Sequence, residues 1–123
     1  MSEYQNAIVI RTRDESVLAQ CDIIVDVGAV YDPARHRYDH HQGTFKDTFP
    51  EHSIRLSSAG LIYKHFGRQI LEELIGEKAN QDQKEDIYQR LYINFIEHID
   101  VSRFDCCTNE NRPMTMVLKL LMN

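Results

Sequence analysis

Residues 21–41, CDIIVDVGAVYDPARHRYDHH, carry the reading that decides the fold class. The stretch from Cys21 to Val27 is a β-branched run closed by Gly28. Apolarity that is continuous rather than alternating suits a strand buried on both faces, as in a parallel sheet. Upstream, Ala7 to Arg11 (AIVIR) is a second such run. Between the two lies the polar segment DESVLAQ, where Asp14 as N-cap with Val17 and Leu18 predicts about two turns of helix. Strand, helix and strand together predict an α/β fold with a short, mainly parallel sheet flanked by helices. Downstream, Tyr31-Asp32-Pro33-Ala34 is a turn signal between short pieces expected to pair as a hairpin.

The rest of the chain reads as helical. Leu56-Ser57-Ser58-Ala59-Gly60 opens a pattern that carries Leu61, Ile62, His65 and Phe66 near one face, with either serine able to cap it. Its exposed N–H groups are also a place where an anion can sit. Gly67 predicts a break before a second short helix through Ile70, Leu71, Leu74 and Ile75. Ile87, Leu91, Phe95 and Ile99 recur at every fourth residue, which predicts a helix from Gln83 to Ile99 with that stripe in the core. A last helix is expected from Pro113 through Met116, Val117, Leu120 and Leu121. Tyr31, Tyr38, Tyr88 and Tyr92 read as packing residues rather than base-stacking platforms.

A chain of 123 residues with 42% hydrophobic content is long enough for one modest core. No apolar run reaches the roughly 18 residues that span a bilayer, and the start MSEYQN lacks the pattern of a signal peptide, so an intracellular, non-membrane protein is expected. Cys21, Cys106 and Cys107 are an odd set with no C-x-x-C spacing, and they read as free thiols. A zinc site built from Cys106, Cys107 and His98 lacks a second pair of ligands. The net charge of −5 speaks against nucleic-acid binding through bulk positive charge. Residues 35–68 are nevertheless basic, with six Lys and Arg against three acids, and the same stretch holds His36, His40, His41, His52 and His65.

Asp39-His40-His41, preceded by His36 and Tyr38, is the densest group of metal-ligand side chains in the sequence. Neighbours on an extended segment point to opposite sides, so one imidazole is expected to face a metal while the other faces substrate or a supporting group. Asp26 ends the second apolar run, where open parallel sheets collect ligands beyond the carboxyl ends of their strands. Asp100 follows directly on the helical stretch FIEHI. Carboxylates with one or two imidazoles suit Mn²⁺ or Mg²⁺, and Zn²⁺ or iron as the softer case.

The segments IVIRTRD, CDIIVDVG, YDPARHRYDHHQ, LSSAGLIY and FIEHID resemble, in order and spacing, the DHH phosphoesterase superfamily. Within it they are similar to the Myg-type metal-dependent exonucleases, also catalogued as metal-dependent protein hydrolases. The resemblance implies an α/β DHH domain with a dinuclear Mn²⁺-type centre, hydrolysis of phosphodiester or phosphoanhydride bonds, and 3′–5′ exoribonuclease activity in nucleus and mitochondria, or in the cytoplasm of a non-eukaryote. By position it makes Asp26, His40 and Asp100 metal ligands and gives His41 and Asp39 the catalytic places, with His41 aimed at phosphate. Arg35, Arg37 and His36 are then placed to neutralise a phosphate of RNA or another phosphodiester. The family's first metal motif, an HNGTFH-type segment, and its C-terminal substrate half have no counterpart in residues 1–123. The expectation is therefore a single partial DHH-like domain over 1–123 that is weak or inactive alone. The alternative is a catalytically incomplete DHH-scaffold module for binding or oligomerisation, with a homodimer formed through an exposed sheet edge.

Overall fold

A computed structural model of the chain describes residues 4–106 and 117–119. The chain divides into two compact units, one built from residues 4–45 with 106 and 117–119 and the other from residues 46–105. Each has its own core. The α/β class expected from the sequence holds.

In the first unit five short strands form one sheet. They are β1 (Ile8–Ile10), β2 (Ile23–Val25), β3 (Tyr31–Asp32), β4 (Arg37–Tyr38) and β5 (Val117–Lys119), in the order β1-β5-β2-β4-β3. β2 and β4 are parallel, with Ile24 opposite Arg37 and Val25 opposite Tyr38. β3 and β4 form the expected hairpin around a 3₁₀ turn at Pro33–Arg35, which closes through His36 in the left-handed region at φ 53°. β1 and β2 run in the same direction, as a strand-helix-strand unit requires. They are not neighbours, because β5 lies between them and is antiparallel to both. The sheet is thus partly parallel, with a single parallel ladder.

Two expectations change here. Val117–Lys119 is a strand and not part of a terminal helix. A short helix has little intrinsic stability, whereas these three residues pair with β1, and Val117 and Leu118 also pair with β2. The rest of that expected helix, together with Cys107 and the side chain of Cys106, lies outside the described residues. The helix after Asp14 is α1 (Glu15–Leu18), about one turn rather than two, and Asp14 caps it by accepting from the Ser16 amide at 2.9 Å. Leu18, the free thiol Cys21 and Ile24 form the core of this unit, with Ile10, Val17 and Val27 packed against them.

The second unit is helical. α2 (Ser58–Ile75) starts at the Ser57 cap and runs unbroken through Gly67. A Cβ built on Gly67 would lie 2.8 Å from Tyr88 Cε2 and 3.1 Å from the Tyr63 ring. The glycine is therefore a point of close helix approach, not a break. α3 (Gln81–Leu91), opened by a capping box between Asn80 and Gln83, continues through a π-helical turn at Tyr92–Ile96 into α4 (Glu97–Cys106).

The stripe expected in the core is not the buried one. Leu91 and Phe95 are 40% and 61% exposed, while Lys84, Tyr88, Tyr92 and Asp100 are buried. In an α-helix, residues four apart drift by about 40° per step, so a long fourth-residue row leaves its face. The π turn is wider and takes up that drift, which holds the row one position further along in register. Phe49 stacks on Tyr92 with ring centroids 3.8 Å apart, Tyr63 stacks on Tyr88 at 4.9 Å, and the Arg68 guanidinium lies 4.1 Å over Tyr88. The tyrosines are packing residues, as expected. Among the described residues no helix is long and apolar enough to cross a membrane.

Candidate metal centre

Parallel pairing of β2 with β4 builds the site. With Val25 opposite Tyr38, the residues that follow, Asp26 and Asp39, leave the sheet at the same end. The Asp26 amide extends the ladder by donating to the Tyr38 carbonyl at 3.0 Å. The chain then turns sharply, with Asp26, Gly28 and Ala29 all at positive φ (65°, 93° and 54°). For a non-glycine residue this conformation costs about 1–2 kcal/mol, and such residues concentrate at functional sites. The turn returns to the hairpin, where the Asp39 amide donates to the Val30 carbonyl at 3.0 Å.

The result is a group of four side chains, Asp26, Asp39, His40 and His41, each offering one ligand atom, all within 4.8 Å of one another. His40 Nδ1 lies 3.4 Å and His41 Nδ1 3.9 Å from Asp26 Oδ1. The two imidazoles are 4.2 Å apart between centroids and tilted by 31°. They share one cluster instead of facing opposite sides. The reason is that β4 ends at Tyr38, so strand alternation no longer governs residues 39–41.

Asp39 shapes that departure. Its Oδ1 accepts from the amide of His40 at 2.8 Å, from the amide of His41 at 3.3 Å, and from His41 Nδ1 at 2.5 Å. Its Oδ2 accepts from the Ala29 amide at 2.7 Å. Burial pushes this carboxyl up, but the His41 hydrogen bond and the Ala29 and His40 amides outweigh it and hold the group below its ordinary value. A buried anion with four donors fixes the His41 tautomer with Nδ1 protonated, the carboxylate–histidine arrangement that supports metal sites.

The remaining candidates are placed as follows. Arg35 is largely exposed and donates from Nε to Asp32 at 2.7 Å. Arg37 donates to the backbone carbonyls of Cys21, Asp22 and Arg35, bracing the hairpin against the start of β2. His36 Nδ1 lies 3.0 Å from the Tyr38 hydroxyl. Asp100 belongs to the second unit and is 1% exposed. Its Oδ1 accepts from the Ser57 amide and hydroxyl at 2.9 and 2.7 Å, and its Oδ2 accepts from the Tyr92 hydroxyl at 3.0 Å. Burial raises its pKa, and these hydrogen bonds offset only part of the rise. In the same unit His52 pairs with Glu97 at 2.8 Å.

A family model described as "Uncharacterised protein family (UPF0160)", the MYG1 exonuclease model, matches residues 1–114. The chain belongs to the MYG1 exonuclease family. The MYG1 exonucleases of Rattus norvegicus and Homo sapiens are each 47% identical to it over 106 residues, covering 81% of this chain and 28% of the relative. The MYG1 protein of Schizosaccharomyces pombe is 46% identical over 104 residues, covering 83% of this chain and 32% of the relative. The chain thus spans about a third of the length of the curated relatives it matches. No solved structure matches it.

The carboxylate and imidazole donors of this MYG1 family member, gathered within 4.8 Å of one another, fit a divalent metal ion. Two contributors were not singled out by sequence reasoning. Ala29 acts through its backbone amide, for which no side-chain signal exists. Gln42 donates from Nε2 to the Asp39 carbonyl at 3.1 Å, and its position directly after His41 was the available clue.

Proposed function

We propose that this chain is the metal-binding part of a DHH-type, metal-dependent phosphodiester hydrolase that removes nucleotides from RNA in the 3′ to 5′ direction. The observation that carries the reading is the convergence of Asp26, Asp39, His40 and His41 within 4.8 Å at one end of the sheet. The exonuclease names of its relatives support the nuclease reaction. A bound Mn²⁺ or Mg²⁺ supplies Lewis acidity toward a phosphoryl oxygen and an acidified water.

The side chains then have distinct tasks. Asp26 and His40 hold the ion. Asp39, engaged by four donors, orients the His41 ring toward the phosphate. Arg35 adds positive charge for the RNA backbone. With about a third of the relatives' length, the chain alone is expected to turn RNA over weakly or not at all.

Calorimetric titration with Mn²⁺ tests this reading, alongside a 5′-labelled RNA ladder assay. Wild type is expected to bind, and Asp26→Asn and His40→Ala to lose tenfold or more in affinity, on the order found for removed ligands and their supports. A wild-type chain that takes up no Mn²⁺ sinks the proposal.

A non-enzymatic module remains a second reading, favoured by one observation. Ile8 and Val9, 45% and 48% exposed, lie on the edge strand β1, where a second copy can add a strand. Light scattering coupled to size-exclusion chromatography would show a dimer, and a monomer at high concentration argues against it.

A further inference from the structure

Gln42 carries one feature that the ligand cluster does not explain. Its Nε2 donates to the Asp39 backbone carbonyl at 3.1 Å. That bond fixes the orientation of the amide, because a flipped group would turn oxygen toward a carbonyl. Oε1 is therefore the atom that faces away, and it is buried with no hydrogen-bond donor from the described residues. Leaving a buried acceptor unmatched costs about 1–3 kcal/mol, and folded proteins hold few such atoms.

The location gives the feature its meaning. Gln42 directly follows His41 in the chain, and it is anchored on the main chain of Asp39, which positions His41 through Nδ1. Cations bound by few protein ligands keep several waters, and such waters are strong hydrogen-bond donors. Supporting hydrogen bonds of this kind set metal affinity.

We propose that Gln42 is a positioning residue of the metal centre, its amide nitrogen locked on Asp39 so that Oε1 accepts a hydrogen bond from a water carried by the bound cation. This inference rests on the metal-binding reading above. It adds a residue whose task is to orient that water.

Two substitutions separate the two ends of the amide. Gln42→Met removes donor and acceptor at similar volume, whereas Gln42→Glu keeps an acceptor oxygen and loses the donor. Mn²⁺ is titrated calorimetrically into the whole chain, and thermal melts are recorded in EDTA. The expected result is a loss of about 10–100-fold in Mn²⁺ affinity for Gln42→Met, a smaller loss for Gln42→Glu, whose oxygen still accepts but is no longer locked on Asp39, and metal-free melting of both close to wild type. If Gln42→Met binds Mn²⁺ as tightly as wild type while wild type binds well, this inference alone fails. Equal losses in both variants, with lowered metal-free melting, reduce Gln42 to a structural brace and also overturn it. Wild type without Mn²⁺ binding overturns this inference and the metal-binding reading together.

Discussion

Asp39 and Asp100 are both buried carboxylates, and their surroundings drive them in opposite directions. Four donors hold Asp39 below its ordinary value, so its contribution to stability is present above the unfolded value near 3.8 and disappears as pH falls through the lower folded value. Asp100 is raised, so its contribution is present below 3.8 and is lost as pH rises through the raised value. Urea melts of the metal-free chain across pH should therefore show Asp39→Asn flattening the acid limb. Asp100→Asn should instead reduce the loss on going from acid to neutral pH. Asp39→Asn should also lower Mn²⁺ affinity by about 10–100-fold, measured by calorimetry, because it presents an amide where the His41 ring requires an acceptor. The grouping of the two histidines illustrates what sequence spacing cannot carry. Residues 39–41 look like an alternating strand, but the chain leaves β4 at Tyr38 and wraps around the Asp39 carboxylate.

Among the elements, the α3–α4 helix and its contact with α2 are the most open to test. Gly67→Ala gains helix propensity of about 1 kcal/mol but drives a methyl group into the Tyr88 and Tyr63 rings, an overpacking that costs about 1–3 kcal/mol. Chemical denaturation should register a net loss of stability. Phe95→Ser, at a position 61% exposed, should change stability by no more than about 0.5 kcal/mol. Tyr92→Ala should cost about 3–5 kcal/mol, since that ring is fully buried, stacks on Phe49 and donates to Asp100. The sequence marked the right helix and the wrong face. Both rows repeat at every fourth residue, and choosing between them requires knowing where the π turn falls.

At the scale of the whole molecule, folding and metal binding are linked. Mn²⁺ at a hundredfold excess over its dissociation constant should stabilise the chain by about 2.7 kcal/mol, read as a rise in melting temperature that EDTA reverses. Hydrogen exchange should localise the gain to the amides of Ala29, His40 and His41, which donate to the Asp39 carboxylate.

The sequence by itself determined the α/β class, the Asp14 cap, a serine cap at the start of α2, the hairpin around Pro33 and, as candidates, the Asp26, Asp39, His40 and His41 side chains that come together at the end of the sheet. These are local matters of propensity, turn chemistry and residue type, all read within a few neighbouring positions. Only the tertiary structure decided that β5 separates β1 from β2, that Tyr88 and Tyr92 rather than Leu91 and Phe95 face the core, and that the Ala29 amide completes the hold on Asp39. Each of those outcomes depends on which distant segments pair or pack, because a three-residue strand, a helix face and a left-handed amide acquire a definite place only from their partners.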